Sequence, residues 1–122
     1  MQTVMNFKSC PIFCLPKGME IEEFYEMIDW AYKNKDEKTV LILDEKDVRY
    51  YQDRGLWEII SNETGNWLFG IHEDDWIFDF DVMQNIIDSI FKNNFLIDDN
   101  ISKILFILDY AIKNKKSVVF YL

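Results

Sequence analysis

Two stretches of this chain run the same course. Asp29-Trp30-Ala31-Tyr32-Lys33-Asn34-Lys35 is followed by Val40-Leu41-Ile42-Leu43, and Asp109-Tyr110-Ala111-Ile112-Lys113-Asn114-Lys115 by Val118-Val119-Phe120-Tyr121. Each reads as the last turns of a helix, a basic turn and an apolar strand. Lys and Asn suit helix C-termini, and a short apolar run bounded by polar residues suits a strand buried on both faces. Two copies are too few for a solenoid, and local rules alone place Lys and Asn at helix ends, so duplication and convergence both stay open. In either case the pattern constrains the fold to two helix and strand units packed in one mixed sheet, an α+β or open α/β arrangement.

The remaining periodicities fill in that frame. From Met19 to Asn34, Ile21, Phe24, Tyr25, Ile28, Ala31 and Tyr32 recur at helical spacing, with Glu20, Glu22 and Glu23 at the start and Lys33 and Lys35 at the end, as the helix dipole favours. Glu22, Glu26 and Asp29 then form an acidic stripe on its outer face. Val82, Ile86, Ile87, Ile90 and Phe91 mark a second helix, with Asp79 or Asp81 as its N-cap. A third runs from Asp99 to Lys115, where Ile101, Ile104, Leu105, Leu108, Ala111 and Ile112, widened by Phe106 and Ile107, predict burial on two sides. Thr39 to Leu43 reads as a central strand, Ser117 to Leu122 as a buried closing strand, and Met1 to Leu15 as a strand or short hairpin. Asn62-Glu63-Thr64-Gly65, between Leu56 to Ser61 and Asn66 to His72, predicts a β-hairpin with Trp57 and Trp67 on its arms. Asp44 to Arg54 fits neither period. The expectation is one α+β domain over residues 1–122, with a mixed sheet of about five strands, a central hairpin and three main helices.

Between His72 and Asp81 the chain reads His-Glu-Asp-Asp-Trp-Ile-Phe-Asp-Phe-Asp. In an extended segment side chains alternate, so Trp76, Phe78 and Phe80 would share one face and Asp75, Asp79 and Asp81 the other, with Ile77 among them. One face could enter a core while the other met a basic partner. An ordinary half-buried strand with a solvated acidic face explains the same pattern.

Twenty-two Asp and Glu against thirteen Lys and Arg leave a formal charge of −9, which argues against direct binding to a phosphate backbone. The Debye length of about 8 Å at physiological salt is shorter than the radius of gyration of about 14 Å expected at this length. A partner would therefore sense a local acidic cluster rather than the total. No apolar run approaches the roughly 20 residues that cross a bilayer, and Lys8 and Pro11 interrupt any secretory signal. A soluble cytoplasmic protein is expected. Cys10 and Cys14 lie about 13 Å apart if extended, beyond the roughly 7 Å that a disulfide tolerates. Two buried reduced thiols are the expected state. No phosphate loop, dinucleotide fingerprint, zinc-protease helix or nucleophile elbow occurs, so neither enzyme activity nor a cofactor or metal is expected. An enzyme using Asp or Glu with a metal ranks last among the alternatives.

Binding remains. Aromatic residues make up 16% of the chain, with four tryptophans, and Trp and Tyr anchor interfaces when polar residues surround them. Trp30, Trp57 and Trp76 are first taken as core; Trp67, beside the predicted turn, is the best candidate for exposure. A short, acidic, aromatic-rich chain without a catalytic set resembles the small bacterial immunity proteins that neutralise a toxin, including those of contact-dependent growth inhibition. Ile104 to Leu122, and Tyr50-Tyr51 followed by Leu56-Trp57, also resemble the barstar type of ribonuclease inhibitor. The spacing within Tyr50 to Trp57 differs from that family, and no binding residue is transferred from it. The resemblance implies a cognate toxin, a basic nuclease, as partner, and no membrane; carboxylates would fill the nuclease's phosphate cleft and exclude its substrate. Glu73, Asp74, Asp75, Asp79 and Asp81 are the first candidates for that surface, with Trp67 beside them, and Glu22, Glu26 and Asp29 the second. The alternative is a phage or host regulatory protein that mimics nucleic acid to inhibit a nucleic-acid-binding enzyme.

Overall fold

The computed structural model describes residues 9–16, 24–65 and 74–122, with Phe24, Asp74 and Asp75 described by backbone alone. In chain order the elements are β1 (Ser9–Cys14), α1 (Phe24–Lys33), β2 (Val40–Asp44), α2 (Glu45–Asp53), α3 (Leu56–Thr64), β3 (Asp74–Ile77), α4 (Phe80–Lys92), α5 (Asp99–Asn114) and β4 (Val118–Tyr121). The strands form one sheet in the order β2-β1-β4-β3. Every pairing is antiparallel, so the expected mixed sheet is not found.

Strand alternation decides what each helix covers. Ile12 stands opposite Leu41 on one side and Phe120 on the other, and Phe13 opposite Val40 and Val119. Side chains therefore sort into two faces. Cys10, Ile12, Cys14, Leu41, Leu43, Val118 and Phe120 join the larger core, closed by α2, α3, α4 and α5. Phe13, Val40 and Val119 meet Met27 and Ala31 of α1 on the opposite face. The unbroken apolar run of β2 follows from this double cover. It is not a central strand as expected, but stands at one end of the order.

Both helix and strand units are realised with the same chemistry. Lys33 Nζ pairs with Asp29 Oδ2 at 2.9 Å, and Lys113 Nζ with Asp109 Oδ2 at 2.8 Å. The side-chain amide of Asn34 donates to Trp30 O, and that of Asn114 to Tyr110 O, both at 2.9 Å. Their strands, β2 and β4, flank β1, while their helices lie on opposite faces of the sheet.

The predicted central hairpin is absent from the described residues: its first arm and turn are α3, and residues 66–72 lie outside the description. Leu56, Trp57 and Ile60 are buried at helical, not alternate, spacing. Gly65 takes φ 75° as the left-handed C-cap, so it ends a helix instead of turning a hairpin. The ambiguous Asp44 to Arg54 segment is α2, opened by a capping box in which Asp47 N donates to Asp44 Oδ1 at 2.7 Å. Among the described residues there are thus five helices and four strands rather than three and about five.

The three described tryptophans differ in burial. Trp57 is buried, donating from Nε1 to Val48 O at 2.9 Å. Trp30 is half-buried against Phe13, and Trp76 is 44% exposed. Phe106, expected to widen the buried face of α5, instead lies outside and stacks on Tyr110. Both cysteines are buried and neither is in a disulfide. Burial pushes the Cys14 thiol up to about 12, against a smaller opposing pull from Lys116. Among the described residues no helix is long and apolar enough to cross a membrane.

Candidate functional site

No charged side chain is buried among the described residues, so the question is how surface charge is distributed. From Gly55 to Phe91 the chain carries eight Asp and Glu and no Lys or Arg. The rest is nearly balanced, with fourteen acids against thirteen bases, so almost the whole formal charge of −9 belongs to one segment. That segment folds as α3, β3 and α4. Of its residues, 66–73 lie outside the description, including Trp67 and Glu73.

The segment's acids run over connected elements. β3 is at the other end of the sheet order from β2 and leads, through Phe78 and Asp79, directly into α4. The backbone places Asp74 opposite Tyr121 and Asp75 opposite Phe120. Asp79 is the N-cap of α4, its Oδ1 accepting from Asp81 N at 2.9 Å and Val82 N at 3.3 Å. On α4 the core side is Met83, Ile86 and Ile90, which leaves Asp81, Gln84 and Asp88 exposed along the outer side. Asp81 and Asp88 are two turns apart, about 10.5 Å along the axis. Gln84 donates to Asp88 Oδ1 at 3.0 Å. α3 packs against α4, and Ser89 Oγ donates to Glu63 Oε2 at 3.3 Å across the join. Glu58, one residue beyond the buried Trp57, is exposed on the outer side of α3.

Among the described residues the ion pairs are Lys33 with Asp29, Arg49 with Glu45, and Lys113 with Asp109. None uses an acid of the 55–91 segment. Outside the segment three acids pair with bases at four-residue spacing; the segment itself supplies no cation, and Arg54 and Lys92 border it, four residues from Glu58 and Asp88. No group of three or more His, Cys, Asp or Glu among the described residues could hold a metal ion. The carboxylates are laid out along a surface instead of converging on a point.

Phase, not period, departs from expectation in the His72 to Asp81 stretch. The strand stops at Ile77, which is the buried residue, while Trp76 and Phe78 face outwards at 44% and 66% exposure. Phe80 is already helical and packs against the larger core. The second group of candidates is separated from Asp79 and Asp81 of the first, since α1 lies on the opposite face of the sheet. There Glu26 is exposed, Asp29 is held by Lys33, and Glu22 lies outside the described residues. Glu58, Glu63 and Asp88 are not among the sequence candidates; the signal that finds them is the missing Lys and Arg between Arg54 and Lys92.

A family model described as DMP12, DNA-mimic protein, matches residues 8–122. The chain belongs to this family of DNA-mimic proteins. The DNA mimic protein DMP12 of Neisseria meningitidis serogroup B is 41% identical over 117 residues, covering 96% of this chain and 99% of that protein. The solved structure of the Neisseria DNA mimic protein DMP12 matches with a TM-score of 0.79 and 39% identity, covering 94% of this chain and 100% of that one.

Membership in the DNA-mimic family overturns the resemblance to toxin immunity proteins and, with it, the antitoxin role and the cognate toxin. An acidic, aromatic-rich composition is common ground for the two readings and does not separate them. The mimicry alternative is the one that stands. It also corrects the dismissal of nucleic acid from the partner expectation: in a DNA-mimic family DNA is the molecule imitated.

Proposed function

We propose that this chain acts in the cytoplasm as a binding protein without enzymatic activity, occupying the DNA-binding surface of a basic protein and displacing its DNA. The acids of α3, β3 and α4 stand in for phosphates: Glu58, Glu63, Asp74, Asp75, Asp79, Asp81 and Asp88, continued by Glu73, with Trp67 in the same segment. The supporting observation is the segregation of charge, eight acids without a base over residues 55–91 in a chain otherwise close to neutral. Glu22, Glu26 and Asp29 rank second, because Lys33 already offsets Asp29 and α1 lies across the sheet from α4. A standard interface takes about 800 Å² from each partner, an area that two packed helices and a strand can supply.

Immobilised chain is expected to retain basic proteins from a host extract that free duplex DNA then elutes. The variant E58Q/E63Q/D81N/D88N, which removes four charges without touching a buried apolar residue, should retain far less. Equal retention by the variant would move the site off this surface, and retained proteins that DNA does not elute would overturn the mimicry.

A further inference from the structure

The outer side of α4 is a thin imitation of DNA. Asp81 and Asp88 set two carboxylates over about 10.5 Å of axis, a length in which duplex DNA carries about six phosphates. Asp79 at the N-cap and Glu58 and Glu63 of α3 bring the count on the two helices to five, over a longer path than those 10.5 Å. Coulomb attraction and counterion release therefore favour DNA on any basic surface, and a protein that displaces DNA needs a contact that phosphates do not make. The same helix offers one. Its exposed side continues from Asp88 to Phe91, which is 57% exposed, and the loop after α4 carries Leu96 at 71%. Neither is needed to close the core, since Met83, Ile86 and Ile90 already fill the inner side of α4. Large apolar side chains next to an acidic stripe match the composition of an interface anchor with a charged surround.

We infer that Phe91 and Leu96 form the apolar anchor of the mimicking surface, seated on an apolar patch beside the Lys and Arg residues of the same DNA-binding protein. The inference rests on the proposed function and narrows the partner. Its DNA-binding face must carry exposed apolar side chains next to its basic ones, since a purely basic face would gain nothing from Phe91. Apolar burial is insensitive to salt compared with charge pairing, so the anchor holds the complex where DNA loosens.

The test uses the protein that immobilised chain retains and duplex DNA elutes, purified, with its affinity measured at low and high salt. Phe91→Ser should weaken binding about tenfold or more at both salt concentrations, equivalent to about 1.4 kcal/mol, while Phe91→Leu keeps most of the affinity. D81N/D88N should lose affinity chiefly at low salt and flatten the salt dependence. Phe91 is exposed, so unchanged thermal unfolding of Phe91→Ser is expected to accompany its loss of binding. If Phe91→Ser and Leu96→Ser bind as wild type while D81N/D88N weakens, the anchor is refuted and the acidic surface stands. If no retained protein is eluted by DNA, the mimicry fails and the anchor fails with it.

Discussion

Asp98 ties two parts of the larger core together through one carboxylate. Its Oδ1 accepts from Ile101 N at 2.8 Å as the N-cap of α5, and its Oδ2 accepts from the Tyr51 hydroxyl of α2 at 2.6 Å. Tyr51 in turn sits edge-on to Trp57, whose indole closes on Val48 O. Burial, and the carboxylate of Asp98 after it, raise the Tyr51 hydroxyl well above its ordinary range, so it remains a donor at neutral pH. Asp98→Ala removes the cap and leaves that hydroxyl without its carboxylate partner, an expected loss of about 2–3 kcal/mol. Tyr51→Phe removes the hydroxyl with its hydrogen bonds to Asp98 and Asn100 and leaves the cap in place, an expected loss of about 1 kcal/mol. Urea unfolding of both variants checks the difference; equal losses would mean that the cap contributes nothing. This bond joins residues 47 positions apart. Tyr51 sits in a segment with no clear period, and nothing near it in sequence points to Asp98, whereas Asp79 is readable as a cap because it directly precedes an apolar-periodic run.

At the level of elements, legibility follows how strongly a local pattern excludes its rivals. α5 spans several turns with one apolar stripe, and β4 is an apolar run after a basic turn; both stand where the sequence places them. α3 is short, and its Leu56-Trp57-Glu58-Ile59-Ile60 start satisfies a strand as well as a helix until the burial of residues 56, 57 and 60 is known. Gly65 resolves nothing by itself, because hairpin loops and helix C-caps both use the left-handed region. β3 shows the converse: its alternation is real, but four residues are too few to fix which side faces the core. The acidic surface inherits this mixture, and its members are not equivalent. Asp79 holds the first turn of α4, so Asp79→Ala should cost about 1 kcal/mol of stability. Asp81→Asn and Asp88→Asn should each stay within about 0.5 kcal/mol, as exposed substitutions do. Denaturant midpoints of the three decide this. An Asp79 variant that binds poorly therefore has two explanations, and loss of affinity is to be assigned to charge only from Asp81 and Asp88.

For the whole molecule, the decisive property was present in the sequence but invisible in its totals. A charge of −9 over 122 residues is compatible with any well-solvated acidic protein, and salt screens it beyond about 8 Å. What distinguishes the chain is that its cations are withheld from one stretch, and that the fold then sets this stretch on two packed helices and an end strand. Such a surface has fewer charges per unit length than DNA, and its salt response should differ accordingly. A basic protein that neutralises six to ten phosphates loses roughly 10³–10⁵ in DNA affinity between 50 and 200 mM salt. Its complex with this chain releases no condensed counterions from the acidic partner and buries apolar surface besides, so the fall should be smaller by about tenfold or more. In a competition read by the fluorescence anisotropy of labelled duplex DNA, the concentration of chain that displaces half the DNA should drop as salt rises. E58Q/E63Q/D81N/D88N should need more protein at every salt concentration. A half-displacement concentration that rises with salt would mean that the chain relies on charge as heavily as DNA does, and the thin acidic stripe would then no longer call for an apolar anchor.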